Sequence, residues 1–209
     1  MWWAVKQLAV PINYLRIRNG RGLFHSKRTY DFVLPILLGV ATCAYFWWLS
    51  ISLAIFDHPV LIKRMSDLLT LMIVFYMAAL AAVATFDREG IDNELEGDPA
   101  TLRVREGGRR VNKNLTYRQF VSYLFGYLAF LSLVLYIFVM AGATGWKKLE
   151  AHFQAQPDIH HALATYVDPL LSFMVFVLFW QLIVTSLLGI YFLTERIQTL
   201  YTKPPEDGC

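Results

Sequence analysis

Residues 68–86, LLTLMIVFYMAALAAVATF, run for nineteen positions without an Asp, Glu, Lys, Arg or His. About 18 such residues in succession are enough to mark a membrane-span candidate. Three further stretches, 32–56, 119–142 and 170–193, are equally free of charge. Four buried helices of that length would be unusual in a soluble domain. The composition agrees: 56% of the 209 residues are hydrophobic and 17% are charged, against roughly 25% charged in an average soluble protein. The sequence therefore predicts an all-α polytopic membrane protein with four transmembrane helices, at about 32–56, 68–86, 118–142 and 169–193, within a membrane domain of residues 31–194.

The flanks of these spans set the orientation. The first 30 residues hold Lys6, Arg16, Arg18, Arg21, Lys27 and Arg28, and the connection 87–117 with its border holds Arg88, Arg103, Arg105, Arg109, Arg110, Lys113 and Arg118. Arg196 and Lys203 lie in the tail, residues 195–209. The other side collects only Lys63, Arg64, Lys147 and Lys148. Fifteen cations against four place both termini and the middle connection in the cytoplasm by the positive-inside rule. The loop 143–168 is then periplasmic. The start, MWWAVKQLAV, places its apolar residues before the basic cluster, the reverse of a cleavable signal peptide.

Capping signals mark the ends. Thr116 with Gln119 reads as a capping box for the third span, and Asp168-Pro169 as an N-cap followed by Pro at the first helical position of the fourth. Ser66 or Asp67 is expected to cap the second span, and Asp57-His58-Pro59 to close the first. Pro35 falls in the first turn of span one. Trp47 and Trp48 resemble an interfacial belt, and the apolar residues that continue to Phe56 imply a tilted span.

Inside the membrane, Ala78 and Ala82, with Ala81 and Thr85, keep small-xxx-small spacing suited to close helix packing, against this chain or a second copy. Phe120, Tyr123, Tyr127 and Phe130 share a face of span three, suited to lipid contact and helix packing or to an oligomer seam. Gln181 is the most polar residue of span four, and its amide calls for a partner; glue between helices is the first reading and pore lining the second. No ionisable group stands within the four runs, which argues against a proton relay or charged ion site. In the loop 143–168, Trp146, Leu149 and Phe153, then Ile159, Leu163 and Tyr166, suggest two short amphipathic helices on the outer membrane surface. His152, His160 and His161 lack zinc-ligand spacing. No cofactor signature and no catalytic motif occurs, so a non-enzyme is expected.

The connection 87–117 carries more than a topology signal needs. Residues 87–98 hold six acids and one base, and residues 99–113 five bases and one acid. TLRVREGGRRVNKN, residues 101–114, alternates around Glu106-Gly107-Gly108 and reads as a small β-hairpin between helices 2 and 3. Two strands alone are marginal in water. The hairpin must lean on the membrane surface, the basic arm, another copy or a soluble partner. A plain solvated loop is the simpler reading; Arg103, Arg105, Gly107, Gly108, Arg109 and Arg110 are the candidate contacts if it docks a partner. The arm, residues 1–30, is read as amphipathic: Trp2, Trp3, Leu8, Val10 and Tyr14 enter the headgroups while Arg16, Arg18, Arg21, Lys27 and Arg28 meet anionic lipid. No nucleic-acid fold surrounds these cations, so direct nucleic-acid binding is not expected.

Short length, few spans, a basic cytoplasmic arm and no enzyme domain together resemble the small multi-spanning membrane effectors of bacterial antiphage defence, of the retron and CBASS type. The resemblance covers the whole chain as architecture and assigns no functional residue. It implies an inner-membrane toxin, able to oligomerise, that a soluble cytoplasmic regulator (a protein or nucleoprotein) keeps silent and that perturbs the membrane when released. The alternative is an accessory subunit that anchors a soluble partner at the membrane.

Overall fold

A computed structural model of the chain describes residues 7, 10–17, 29–85, 101–106, 109–153, 161 and 163–196. Four of its helices are long and apolar enough to cross a membrane. They are α1 (Leu34–Trp48), α2 (Pro59–Thr85), α3 (Tyr117–Phe153) and α4 (Asp168–Tyr191). A 3-10 helix, Val10–Arg16, precedes them, and wide π-type turns, Thr29–Val33 and Leu163–Val167, lead into α1 and α4. Strands β1 (Thr101–Glu106) and β2 (Arg109–Asn114) form an antiparallel hairpin between α2 and α3. This is the all-α four-span architecture with its small hairpin.

The helices pack in the order α1–α4–α3–α2. The two that neighbour in sequence, α1 and α2, take opposite flanks. Burial follows that order: 44% of the apolar window is buried in each of the α3 and α4 spans, against 17% and 22% in those of α1 and α2. Lipid is as apolar as leucine, so close packing and hydrogen bonds hold such helices together rather than removal from water. Gly39 brings α1 against α4, where a Cβ would meet Val177 Cγ2 at 2.6 Å. Gly189 of α4 lies under Leu124 of α3 in the same way, at 2.8 Å.

Hydrogen bonds add to this packing. The Trp180 indole N–H donates to Thr42 Oγ1 at 2.8 Å, linking α4 to α1. The Ser186 hydroxyl donates to the Leu182 carbonyl, so the Tyr76 hydroxyl, paired with Ser186, is the donor of the α2–α4 link. Side-chain bonds of this kind in membranes average about 0.6 kcal/mol each. They choose which faces meet.

Several boundaries differ from the sequence reading. Helix α1 stops at Trp48, not at Phe56, and the chain turns at Ser50, whose φ is +54°. Apolar residues 51–56 are a connection that folds inward: Ile55 and Phe56 are buried, and the Ile55 N–H donates to Ser172 Oγ at 2.9 Å. Pro59 opens α2 instead of closing α1, because a first-turn Pro forfeits no helical hydrogen bond. Ser66 and Asp67 therefore lie inside α2 and cap nothing. Helix α3 runs unbroken from Tyr117 through Trp146 to Phe153, so the first expected surface helix is the end of α3. Leu163 and Tyr166 stand in the turn that enters α4, and Ile159 lies outside the described residues. Asp168 is buried and is the first residue of α4 instead of its cap, since the preceding turn already holds Val167 in a helical conformation. Thr116 does cap α3: its Oγ1 accepts the Gln119 N–H at 3.3 Å.

Candidate functional site

Among the described residues, the 3-10 helix of the arm, the turn that holds Asp31 and strand β1 meet at one end of the bundle, around Tyr14. The 3-10 helix Val10–Arg16 packs across the first turns of α3 and also touches β1. Tyr14 has no exposed surface. Its ring stacks on Tyr127 at 5.1 Å and tilts against Phe120 at 6.3 Å. Phe120 in turn meets Phe192, at the end of α4, at 4.9 Å. The Tyr14 hydroxyl donates a long bond, 3.4 Å, to Asp31 Oδ1 in the turn before α1. Asp31 is itself 3% exposed. One side chain of the arm therefore joins the starts of α1 and α3 and the end of α4.

The electrostatics follow from this placement. Burial, then the adjacent Asp31 carboxylate, then Tyr127, hold the Tyr14 phenol well above its ordinary value of 10.0. The phenol is thus a fixed neutral donor, and the carboxylate beside it an acceptor. The pair can position segments. It offers no activated nucleophile, and among the described residues no group of three His, Cys, Asp or Glu stands ready to hold a metal.

The hairpin completes this end. Its register pairs Val104 with Val111, Arg105 with Arg110 and Glu106 with Arg109, leaving Gly107 and Gly108, outside the described residues, as the dipeptide between the strands. Leu102 and Leu115 are buried in the same apolar cluster as the arm's Tyr14 and Ile17, and β1 touches the arm's 3-10 helix. The basic arm is thus what the hairpin leans on. Arg103 and Arg105 lie in β1, and Arg109 and Arg110 in β2. Arg105 stands in register with Arg110.

Other sequence candidates are scattered. Arg16 ends the 3-10 helix, while Trp2, Trp3, Leu8, Arg18, Arg21, Lys27 and Arg28 lie outside the described residues. Tyr14 does not enter headgroups as expected; it enters the protein core, where two aromatic rings and a carboxylate receive it. Of the α3 aromatics, Phe120 and Tyr127 are buried within this chain, and Tyr123 and Phe130 are half-buried. In α2, Ala78 and Ala81 are exposed and Ala82 half-buried, so the small-residue stripe turns away from the described helices. Gln181 is buried in α4. Trp47 and Trp48 are exposed at the end of α1.

Sequence reasoning missed Asp31 as a site residue. It is the first acid of the chain and directly adjoins a charge-free span. A carboxylate at that depth needs a partner, and that need was its signal. The chain matches no protein-family model, no curated protein and no solved structure.

Proposed function

We propose that this protein is a non-enzymatic effector of the bacterial inner membrane, with both termini in the cytoplasm, acting in antiphage defence. A soluble cytoplasmic regulator grips the hairpin and holds the effector silent. Release or activation lets copies of the chain associate and perturb or permeabilise the bilayer. The observation that carries this reading is the unbroken packing from β1 through the arm to Tyr14, and from Tyr14 to Asp31 and Tyr127. A partner bound at the hairpin would bias the position of three membrane helices through that one docked side chain.

Two features support it further. Arg103, Arg105, Arg109 and Arg110 concentrate cations on a short sheet, and guanidinium forks suit the carboxylates or phosphates of a partner. The flanking helices α1 and α2 leave large apolar faces, with Ala78 and Ala81 among them, for lipid or for another copy.

Expression of the chain alone provides the test. Cells that carry it in verified amounts in the membrane should depolarise and admit a membrane-impermeant dye. Normal growth with an intact potential would replace this reading by the accessory one, in which the hairpin end anchors a soluble partner at the membrane.

A further inference from the structure

The opposite end of the bundle holds a cleft of about 360 Å³ between the first turns of α2 and the Tyr136–Ala143 stretch of α3. That size falls in the range of small-ligand sites, about 300–1,000 Å³. Phe56, Tyr136 and Met140 form an apolar wall, and Lys63, Ser66 and Asp67 a polar one. Three properties of the polar wall point to a ligand.

First, Ser66 is only 6% exposed, and its Oγ has no hydrogen-bond partner among the described residues. Several helical hydroxyls of this chain, though not Thr185, bond back to their own helix: Thr42 to Leu38 at 2.8 Å and Thr70 to Ser66 at 2.9 Å. Ser66 does not. A buried polar atom left unpaired is costly, and a ligand atom that pairs with it relieves the cost.

Second, Lys63 and Asp67 are both exposed and stand four residues apart on one helix, yet no ion pair joins them. Lysine placed before the acid is the poorer order for such a pair. The rim therefore presents a cation and a carboxylate side by side, both available. Third, these residues directly precede the charge-free run that begins at Leu68, so they sit at the edge of the apolar core, where lipid headgroups lie.

We propose that this cleft binds the headgroup of a zwitterionic phospholipid that carries a primary ammonium. The phosphate lies against Lys63 and the ammonium against Asp67. The Ser66 hydroxyl donates to a phosphate or ester oxygen, and the first methylenes run along Tyr136 and Met140. Phosphatidylethanolamine has this chemistry: its two-carbon spacer holds opposite charges at a separation comparable with that of neighbouring i, i+4 side chains. Phosphatidylglycerol lacks the ammonium, and phosphatidylcholine lacks its N–H donors.

Native mass spectrometry of the full chain, released from micelles containing the three lipids with identical acyl chains, tests the assignment. The expected result is roughly tenfold tighter retention of phosphatidylethanolamine than of the other two, a difference of about 1.4 kcal/mol. Asp67→Asn, Lys63→Gln and Ser66→Ala should each remove most of that preference. Lys63→Arg should keep it, and so should Arg64→Gln, which alters an exposed neighbour that does not line the cleft. Equal retention of phosphatidylglycerol would overturn the proposal, as would an unchanged preference in Asp67→Asn and Ser66→Ala. Displacement of the lipid by an equal concentration of soluble phosphoethanolamine would overturn the lipid assignment and leave a site for a free zwitterion.

Discussion

The two ends of this bundle solve the same problem in different ways. At both, chain that is not a membrane helix must cover the ends of helices without leaving polar backbone exposed to lipid. The far end does it with one short segment. The short connection 49–58 folds inward, Phe56 lies over Gly142 and against Trp146 at 5.7 Å, and Ser172 receives the Ile55 N–H. The hairpin end does it with pieces remote in sequence: the arm, the turn holding Asp31, β1, and the starts of α1 and α3. The first arrangement fixes two neighbouring helices with few parts. The second brings the arm, the turn before α1 and β1 together, and reaches three helices through one tyrosine. A long-range assembly of that kind is the better place for control, because altering one part moves several.

The largest expected effect breaks the hairpin end. Tyr14→Ala removes a fully buried ring and should cost about 3–5 kcal/mol, the range for deleting a large core aromatic. The arm should become open to protease, and the hairpin should lose its support while α3 and α4 stay inserted. Tyr14→Phe keeps the rings but withdraws a donor from the buried Asp31 carboxylate, so a smaller loss, about 1–3 kcal/mol, is expected. Limited proteolysis beside thermal unfolding in detergent measures both. Equal protection of the arm in Tyr14→Ala and wild type would show that the ring does not dock it.

Gly142→Leu challenges the far end. A side chain there meets the Phe56 ring, which Trp146 already confines. Overpacking of this kind costs about 1–3 kcal/mol. The loss should appear in the unfolding midpoint and leave protection of the arm unchanged, if the two ends are built independently. Exposure of the arm in this variant would show that the two ends are coupled.

A smaller effect comes from alkali. The unfolded chain gives up the Tyr14 proton near pH 10.0, whereas the folded chain holds it to higher pH. The contribution of Tyr14 is therefore complete below that pH and is lost as pH rises through the folded value. Between pH 9 and 11 the arm should lose protection before the far end does, and Tyr14→Phe should flatten that decline. The same decline in Tyr14→Phe would remove the phenol from the explanation.

How far the sequence reached depended on the physics of each feature. Four charge-free runs reveal four spans because no other fold tolerates them so well. The Thr116 cap and the hairpin with its Gly-rich turn were readable because local chemistry dictates both. Span one was drawn too long, since hydropathy does not separate a helix from an apolar connection such as 51–56. The continuity of α3 past Gly142 was hidden for the opposite reason: amphipathic residues after a span resemble a surface helix. The docking of Tyr14 depends on residues more than a hundred positions away, and periodicity carries no such information. Only the lone Asp31 beside a span hinted at it.

Control at the hairpin end requires that end to face the cytoplasm. Reporter fusions at Gly107, Gln154 and Cys209 decide it, read with one reporter active in the cytoplasm and one active outside it. Cytoplasmic signals are expected at Gly107 and Cys209 and the opposite at Gln154, so that a soluble regulator can reach the hairpin. A cytoplasmic Gln154 would contradict both the four-span arrangement and the control proposed at its hairpin end.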